Sequence, residues 1–395
     1  MQMISNPVGV DFTYKESRMR TSHSRVLLVT LAIACVLALP LMAQGQLEST
    51  STAATRTVVD HDGETVTIPQ VVNRVAIIQP WPLPSIATVF LGSPEKLVGI
   101  PPAALGAAKA GLLGEIFPDY LNISTSFTDG SDVNMEELLK LKPDVVFVMA
   151  KNAKQKQMVK DAGLPAVAFS VNNWQYDNLK TYDAWIDLLG QVFPEYAKSD
   201  KVSAYSKQMY DMIQSRVKDI PDAQRKRVLF LFSYSDTSIV TSGKLFFGQA
   251  WCDEIGAKNV AEEVAAENSN AVINMEQVYT WNPDVILITN FTPTVPDDLY
   301  HNTIGSYDWS TVKAVKDGNV FKMPLGTYRS YTPSADTPVT LLWMAQKVYP
   351  ELFQDYDLVA EVKRYYEQMY GISLTDDQIQ RMYNQTAKGA EGTRR

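Results

Sequence analysis

Two glutamates, Glu136 and Glu276, stand at matching places in a stretch that the chain writes twice. Residues 134–149 read NMEELLKLKPDVVFVM and residues 274–289 read NMEQVYTWNPDVILIT, an offset of 140 residues. Asn134 and Asn274 suit helix N-caps, with Glu137 and Gln277 at the capping-box position three residues on. Glu136 and Glu276 are then left pointing outward from the first turn, where a carboxylate opposes the helix macrodipole. The other side chains able to do chemistry are scattered singly. Arg329 can fork its guanidinium onto a carboxylate or an anionic chelate, or serve a structural salt bridge. Trp81, Trp174 and Tyr328 offer flat faces to a ligand, or to ordinary packing. Past residue 43 the histidines are His61 and His301, and neither belongs to a cluster with metal-ligand spacing. A bare multi-histidine metal site is not expected. A metal would arrive inside an organic chelator, with His301 or a tyrosine completing its coordination. The sequence holds no GxSxG elbow, P-loop, HExxH or Rossmann glycine fingerprint, and Gly243 and Gly248 lack phosphate-loop spacing.

These residues need elements to hold them. Each repeat copy reads as a short helix, a Pro-Asp turn and a buried apolar strand. The period is too long for a solenoid, whose units run about 20–50 residues. It implies two α/β lobes of like construction, and a cleft between lobes is a favoured ligand site. Strands are expected over 71–78, 96–100, 145–149, 166–169, 228–232, 285–289 and 320–323. Their alternation with helices implies mainly parallel sheets. Residues 57–68 alternate polar and apolar around His61-Asp62-Gly63, a hairpin signal. Between the repeat copies, 195–217 predicts one long helix with an apolar stripe of Val202, Tyr205, Met209, Met212 and Ile213. Such a helix would be a stiff connector. Further helices are expected over 177–189, 338–348, 358–370 and 375–383. The expected organisation is an N-terminal lobe over 57–190, a linker helix within 191–220 and a C-terminal lobe over 221–386. A flexible lead-in (44–56) and a disordered tail (387–395) flank them. In α/β sheets the ligand crevice lies just past the strand ends. That rule picks Trp81, Lys151, Asn173, Trp174, Tyr234, Asn290, Tyr328 and Arg329 as cleft residues.

Lys15, Arg18, Arg20 and Arg25 precede an apolar run over 26–42, and small residues follow at Ala43 and Gly45. This reads as an export signal over 1–43 with cleavage near Gln44 or Gln46, with an uncleaved anchor as the alternative. Cys35 reads as ordinary signal core, because Ala32-Ile33-Ala34 is a poor lipobox. Without residues 1–43 the chain has 32 basic and 42 acidic residues, a net of −10. That balance argues against nucleic acid and against an anionic membrane surface. Cys252 is the one cysteine left, so an intramolecular disulfide is excluded.

The order of these features resembles the periplasmic binding proteins that serve ABC importers of ferric siderophores, haem and cobalamin. The resemblance rests on HDGETVTIP…VNRVAII, the two NME…PDV segments, WCDEIGAKNVAEE, WSTVKAVKDGNVFKMP and PVTLLWMAQKVYPELF, and covers residues 57–353. It implies a monomeric, non-enzymatic, periplasmic protein without an intrinsic cofactor. Such a protein holds a metal chelate between two lobes on a rigid helix and delivers it to a permease dimer. Glu136 and Glu276 fall where that family docks one acidic residue per lobe on permease arginines. A nickel or cobalt chelate is an alternative ligand. Few cationic cleft candidates, Lys151 and Arg329, favour a neutral or weakly anionic chelate. Readings from other classes are an exported hydrolase using Asp129 and Asp236, and a surface adhesion module that binds no small molecule.

Overall fold

The computed structural model describes residues 54–129, 132–196, 198–266 and 271–393. The expected signal, its cleavage point, Cys35 and most of the lead-in lie outside the described residues. Among those residues no helix is long and apolar enough to cross a membrane.

Strands β1 (Val75–Ile77), β2 (Leu97–Gly99), β3 (Val145–Met149) and β4 (Ala166–Phe169) form a parallel sheet in the order β2-β1-β3-β4. Strands β5 (Arg227–Leu231), β6 (Lys258–Asn259), β7 (Val285–Ile288) and β8 (Val320–Lys322) form a second, in the equivalent order β6-β5-β7-β8. The sequence repeat is thus a repeat of topology, with β3 and β7 at the same place in each lobe. The first strand is shorter than 71–78, and the C-terminal lobe adds a small antiparallel sheet that the periodicity did not signal (Ser233–Tyr234, Ile239–Thr241 and Ala271–Ile273). A hairpin of Thr55–Val59 with Thr65–Pro69 turns at Asp60–Glu64.

Alternate residues of a strand face opposite sides of its sheet, and here the two faces enter different cores. Ala76, Val146, Val148, Ala166 and Ala168 build an outer core of the first lobe. Leu229, Leu231, Ile286 and Ile288 build that of the second. The opposite parity (Val75, Phe147, Phe169, Val228, Phe230, Leu287) joins one continuous apolar cluster that runs from lobe to lobe. The helices between the sheets complete it: α1 (Leu83–Leu91), α2 (Pro102–Ala110), α3 (Asn178–Val192), α4 (Ser199–Val217), α5 (Phe247–Glu254) and α6 (Thr337–Val348). Helix α4 is the expected connector, 19 residues and so about 28 Å long. Its stripe of Val202, Tyr205, Met209, Ile213 and Val217 is buried along its length.

After α6 the chain continues into α7 (Leu358–Tyr370), α8 (Asp376–Tyr383) and a 3-10 turn at Ala387–Ala390. This extension ties back to the N-terminal lobe. The Tyr182 hydroxyl of α3 lies 3.0 Å from that of Tyr365, and Arg381 pairs with Glu115 at 2.8 Å. Residues 387–393, part of the tail expected to be disordered, pack against α2. A Cβ on Gly106 would come 2.8 Å from the Glu391 carbonyl, so only glycine allows that approach. A second close crossing joins the lobes directly, with the Leu112 amide donating to the Gly326 carbonyl at 2.8 Å.

Candidate functional site

Where the two parallel sheets face each other, the loops past their strand ends enclose a cavity of about 200 Å³. From the first lobe, the chain leaves β1, passes the cis Gln79–Pro80 bond and enters α1, which sets Trp81 and Pro82 on the wall. Met149 at the end of β3, Val171 after β4 and Trp185 on α3 complete that side. Trp185 is fixed by its indole N–H donating to the Ser170 carbonyl at 2.6 Å. The second lobe contributes Phe247 at the start of α5, Phe291 after β7, and Tyr328, Thr332 and Pro333 from the loop before α6. Phe291 stacks on Phe232 with ring centroids 5.1 Å apart.

None of the twelve lining residues carries a charge. Two of them hold buried polar atoms without a hydrogen-bond partner among the described residues, the Trp81 indole N–H and the Tyr328 hydroxyl. Burial keeps the Tyr328 phenol above its ordinary pKa, so it is an O–H group at neutral pH. An unmet buried donor costs about 1–3 kcal/mol. A ligand with oxygen acceptors would relieve that cost.

Of the residues picked from the sequence, Trp81 and Tyr328 meet on this wall, and the others do not line it. Arg329 is completely buried, and backbone carbonyls take its donors. Nε donates to Asn290 at 2.9 Å and to Gly389 at 3.2 Å, Nη1 to Ala103 at 3.2 Å and Nη2 to Glu391. It is neither a ligand fork nor half of a salt bridge; it staples the tail to both lobes. Asn290 is also structural, its Nδ2 donating to the carbonyls of Met323 and Pro324 at 2.7 and 3.0 Å. Asn173 donates to the His61 carbonyl at 2.7 Å, and Trp174 packs edge-on against the His61 ring at 5.0 Å. Both therefore clamp the N-terminal hairpin. His61 accepts from the Ser170 amide at 3.1 Å, and burial holds its pKa down to about 4. Lys151 is exposed in a separate surface groove beside Asp62. Tyr234 belongs to the outer core, where its hydroxyl receives the Trp309 indole N–H at 3.0 Å. His301 is exposed on a loop, with Nδ1 3.0 Å from the Asp297 carbonyl. Among the described residues no group of three or more His, Cys, Asp or Glu side chains could hold a metal ion. Asp129 lies in a short hairpin of the first lobe and Asp236 in a turn of the second, and neither lines the cavity.

Glu136 and Glu276 are both exposed at the first turns of equivalent short helices, Met135–Lys140 and Met275–Trp281. Both N-caps form, Asn134 accepting from the Glu137 amide at 3.1 Å and Asn274 from the Gln277 amide at 2.9 Å. The reciprocal capping-box bond forms only at Gln277, which accepts from the Asn274 amide at 3.0 Å, while Glu137 accepts from Lys140 at 2.7 Å. Glu136 also meets Lys140 of its own helix at 3.0 Å. One turn further on, at matching repeat positions, Leu139 and Tyr279 are 44% and 42% exposed.

Residues 87–325 match the family model described as periplasmic binding protein. The molybdate-binding protein MolA of Haemophilus influenzae is 29% identical over 376 residues, which are 90% of this chain and 99% of that protein. Its structure with bound molybdate superposes with a TM-score of 0.68 at 26% identity, covering 81% of this chain and 99% of that one. A periplasmic solute binding protein from Veillonella parvula gives a TM-score of 0.75 at 31% identity, covering 84% and 97%. The Fe(3+)-citrate-binding protein YfmC of Bacillus subtilis is 21% identical over 234 residues, 58% of this chain and 68% of that protein.

Proposed function

From the premise that the chain belongs to the periplasmic binding protein family, we propose that it captures a compact metal-bearing solute in the interlobe cavity and delivers it to an ABC permease. A substrate-binding role in ABC transport, outside the cytoplasm, follows from the family itself. The observation that carries the finer reading is the cavity: about 200 Å³, uncharged on every side, with two unmet donors. Pockets for drug-sized ligands run about 300–1,000 Å³, so this one suits something smaller than haem or cobalamin. With Arg329 buried and donating to backbone carbonyls, the wall offers no cation, which favours a chelate of low net charge over a multiply charged one. The molybdate bound by MolA supports a second reading, molybdate itself. The test is a tryptophan-fluorescence and calorimetric titration with molybdate, ferric citrate, and the nickel and cobalt citrates. Saturable one-to-one binding of one of these, weakened by Trp81→Ala, is expected. Equal affinity in Trp81→Ala would remove the ligand from this cavity.

Delivery is assigned to Glu136 and Glu276, which are exposed and equivalent by the repeat, each with an apolar side chain one turn away. Export by a cleaved signal belongs to the same reading, as does action as a monomer. Changing both glutamates to alanine should leave solute affinity unaltered and sharply reduce uptake in cells. Breaking one buried interfacial charge pair costs about 2–5 kcal/mol. Normal uptake with a lowered melting temperature would instead leave them as helix-terminus charges.

A further inference from the structure

A second cavity, at about 510 Å³ larger than the interlobe one, lies on the flank of the C-terminal lobe, where α6, α7 and α8 meet the edge strand β8. It shares no lining residue with the interlobe cavity. Most of its wall comes from residues past 325, beyond the part of the chain that the family model matches. Its size falls in the range of small-molecule sites, about 300–1,000 Å³.

Its chemistry is unlike that of the surrounding surface. The chain has 44 acidic residues to 36 basic ones, yet no carboxylate lines this cavity. Two lysines do. The Lys322 ammonium is used internally, donating to the carbonyls of Thr289, Thr292 and Thr294 at 2.9, 2.6 and 2.7 Å. Lys347 is different. It has no hydrogen bond or ion pair among the described residues, and its Nζ lies 4.9 Å from the centroid of Phe321. Half-burial already disfavours its charged form and lowers its pKa. An anion beside it would reverse that penalty. The apolar walls are aromatic, with Trp343 stacked on Tyr383 at an interplanar angle of 18°. The amide N–H groups of Gln346 and Gln385 are spent on backbone carbonyls, Phe353 and Tyr356 for the first, Arg381 and Met382 for the second. Their side-chain oxygens are left to accept from a ligand.

We propose that this flank cavity is a second small-molecule site, for an aromatic hydroxy-monocarboxylate whose carboxylate pairs with Lys347 and whose ring lies against Phe321 and Trp343. The ring supplies the apolar area, the single negative charge answers the single free ammonium, and a hydroxyl donates to an amide oxygen. A cation is excluded by Lys347, and a di-anion would leave one charge without a partner.

The probe is 4-hydroxybenzoate, titrated into the full mature chain by calorimetry, with the neutral 4-hydroxybenzamide beside it. One-to-one saturable binding is expected, at least about tenfold weaker for the amide and for Lys347→Ala. Lys347→Arg should keep most of the affinity, and Trp81→Ala should keep all of it. Thermal melts of each variant check the fold. Absence of saturable binding by the unmodified chain would overturn the proposal. So would equal affinity for acid and amide, or loss of binding in Trp81→Ala, which would place the probe in the interlobe cavity.

Discussion

At the scale of single residues, Arg329 shows how a side chain with the chemistry to bind a ligand is given to structure instead. Its guanidinium reaches four carbonyls on three separate segments, those of Ala103, of Asn290, and of Gly389 and Glu391 in the tail. Arg329→Ala should therefore lower stability by about 3–5 kcal/mol, since several buried acceptors lose a charged donor together. Solute affinity, measured well below the lowered melting temperature, should change little. Loss of affinity with an unmoved melting temperature would restore Arg329 to the ligand. The sequence brought Trp81 and Tyr328 to the wall of this cavity because both follow strand ends, where the crevice rule applies. It could not show that Arg329 was turned to backbone carbonyls, because most of those carbonyls lie about sixty residues on or in the other lobe. Trp185 and Phe247 escaped because they project from helices, and their only signal was an apolar helix face that core packing explains equally well.

At the scale of elements, the repeat made both sheets, their parallel order and the connector helix legible, because each rests on local periodicity. The C-terminal clasp was not legible, since nothing in the composition of residues 387–393 marks them for a groove that α2 supplies. The seam between α3 and α4 carries a testable electrostatic feature. Asp183 of α3 accepts from the Ser206 hydroxyl of α4 at 2.8 Å, and burial raises its pKa to about 7. The unfolded chain loses that proton near pH 4. Between about 4 and 7 the folded protein thus binds more protons than the unfolded one, so this group makes stability fall as pH rises through that window. Asp183→Asn should flatten that part of the melting-temperature profile and raise the melting temperature at pH 8, with no gain at pH 4. An unchanged pH profile would mean that Asp183 is ionised and solvated when folded.

At the scale of the whole molecule, three ties oppose opening of the cleft: the buried length of α4, the continuous core between the sheets, and the tail under Arg329. Any hinge motion must break packed contacts, and packed interiors do not deform continuously. Solution scattering should therefore change little on ligand addition, and a large drop in radius of gyration would refute the rigid-clasp account. The central claim is that the uncharged cavity between the lobes holds a compact metal-bearing ligand. Native mass spectrometry with metal analysis, on protein purified from its own cell envelope, tests it most directly. One metal-containing adduct, on the order of a few hundred daltons or less as the cavity allows, is expected on the unmodified chain and absent from the Trp81→Ala, Tyr328→Phe double variant. An adduct of haem or cobalamin mass, or one that persists in the double variant, would contradict the account.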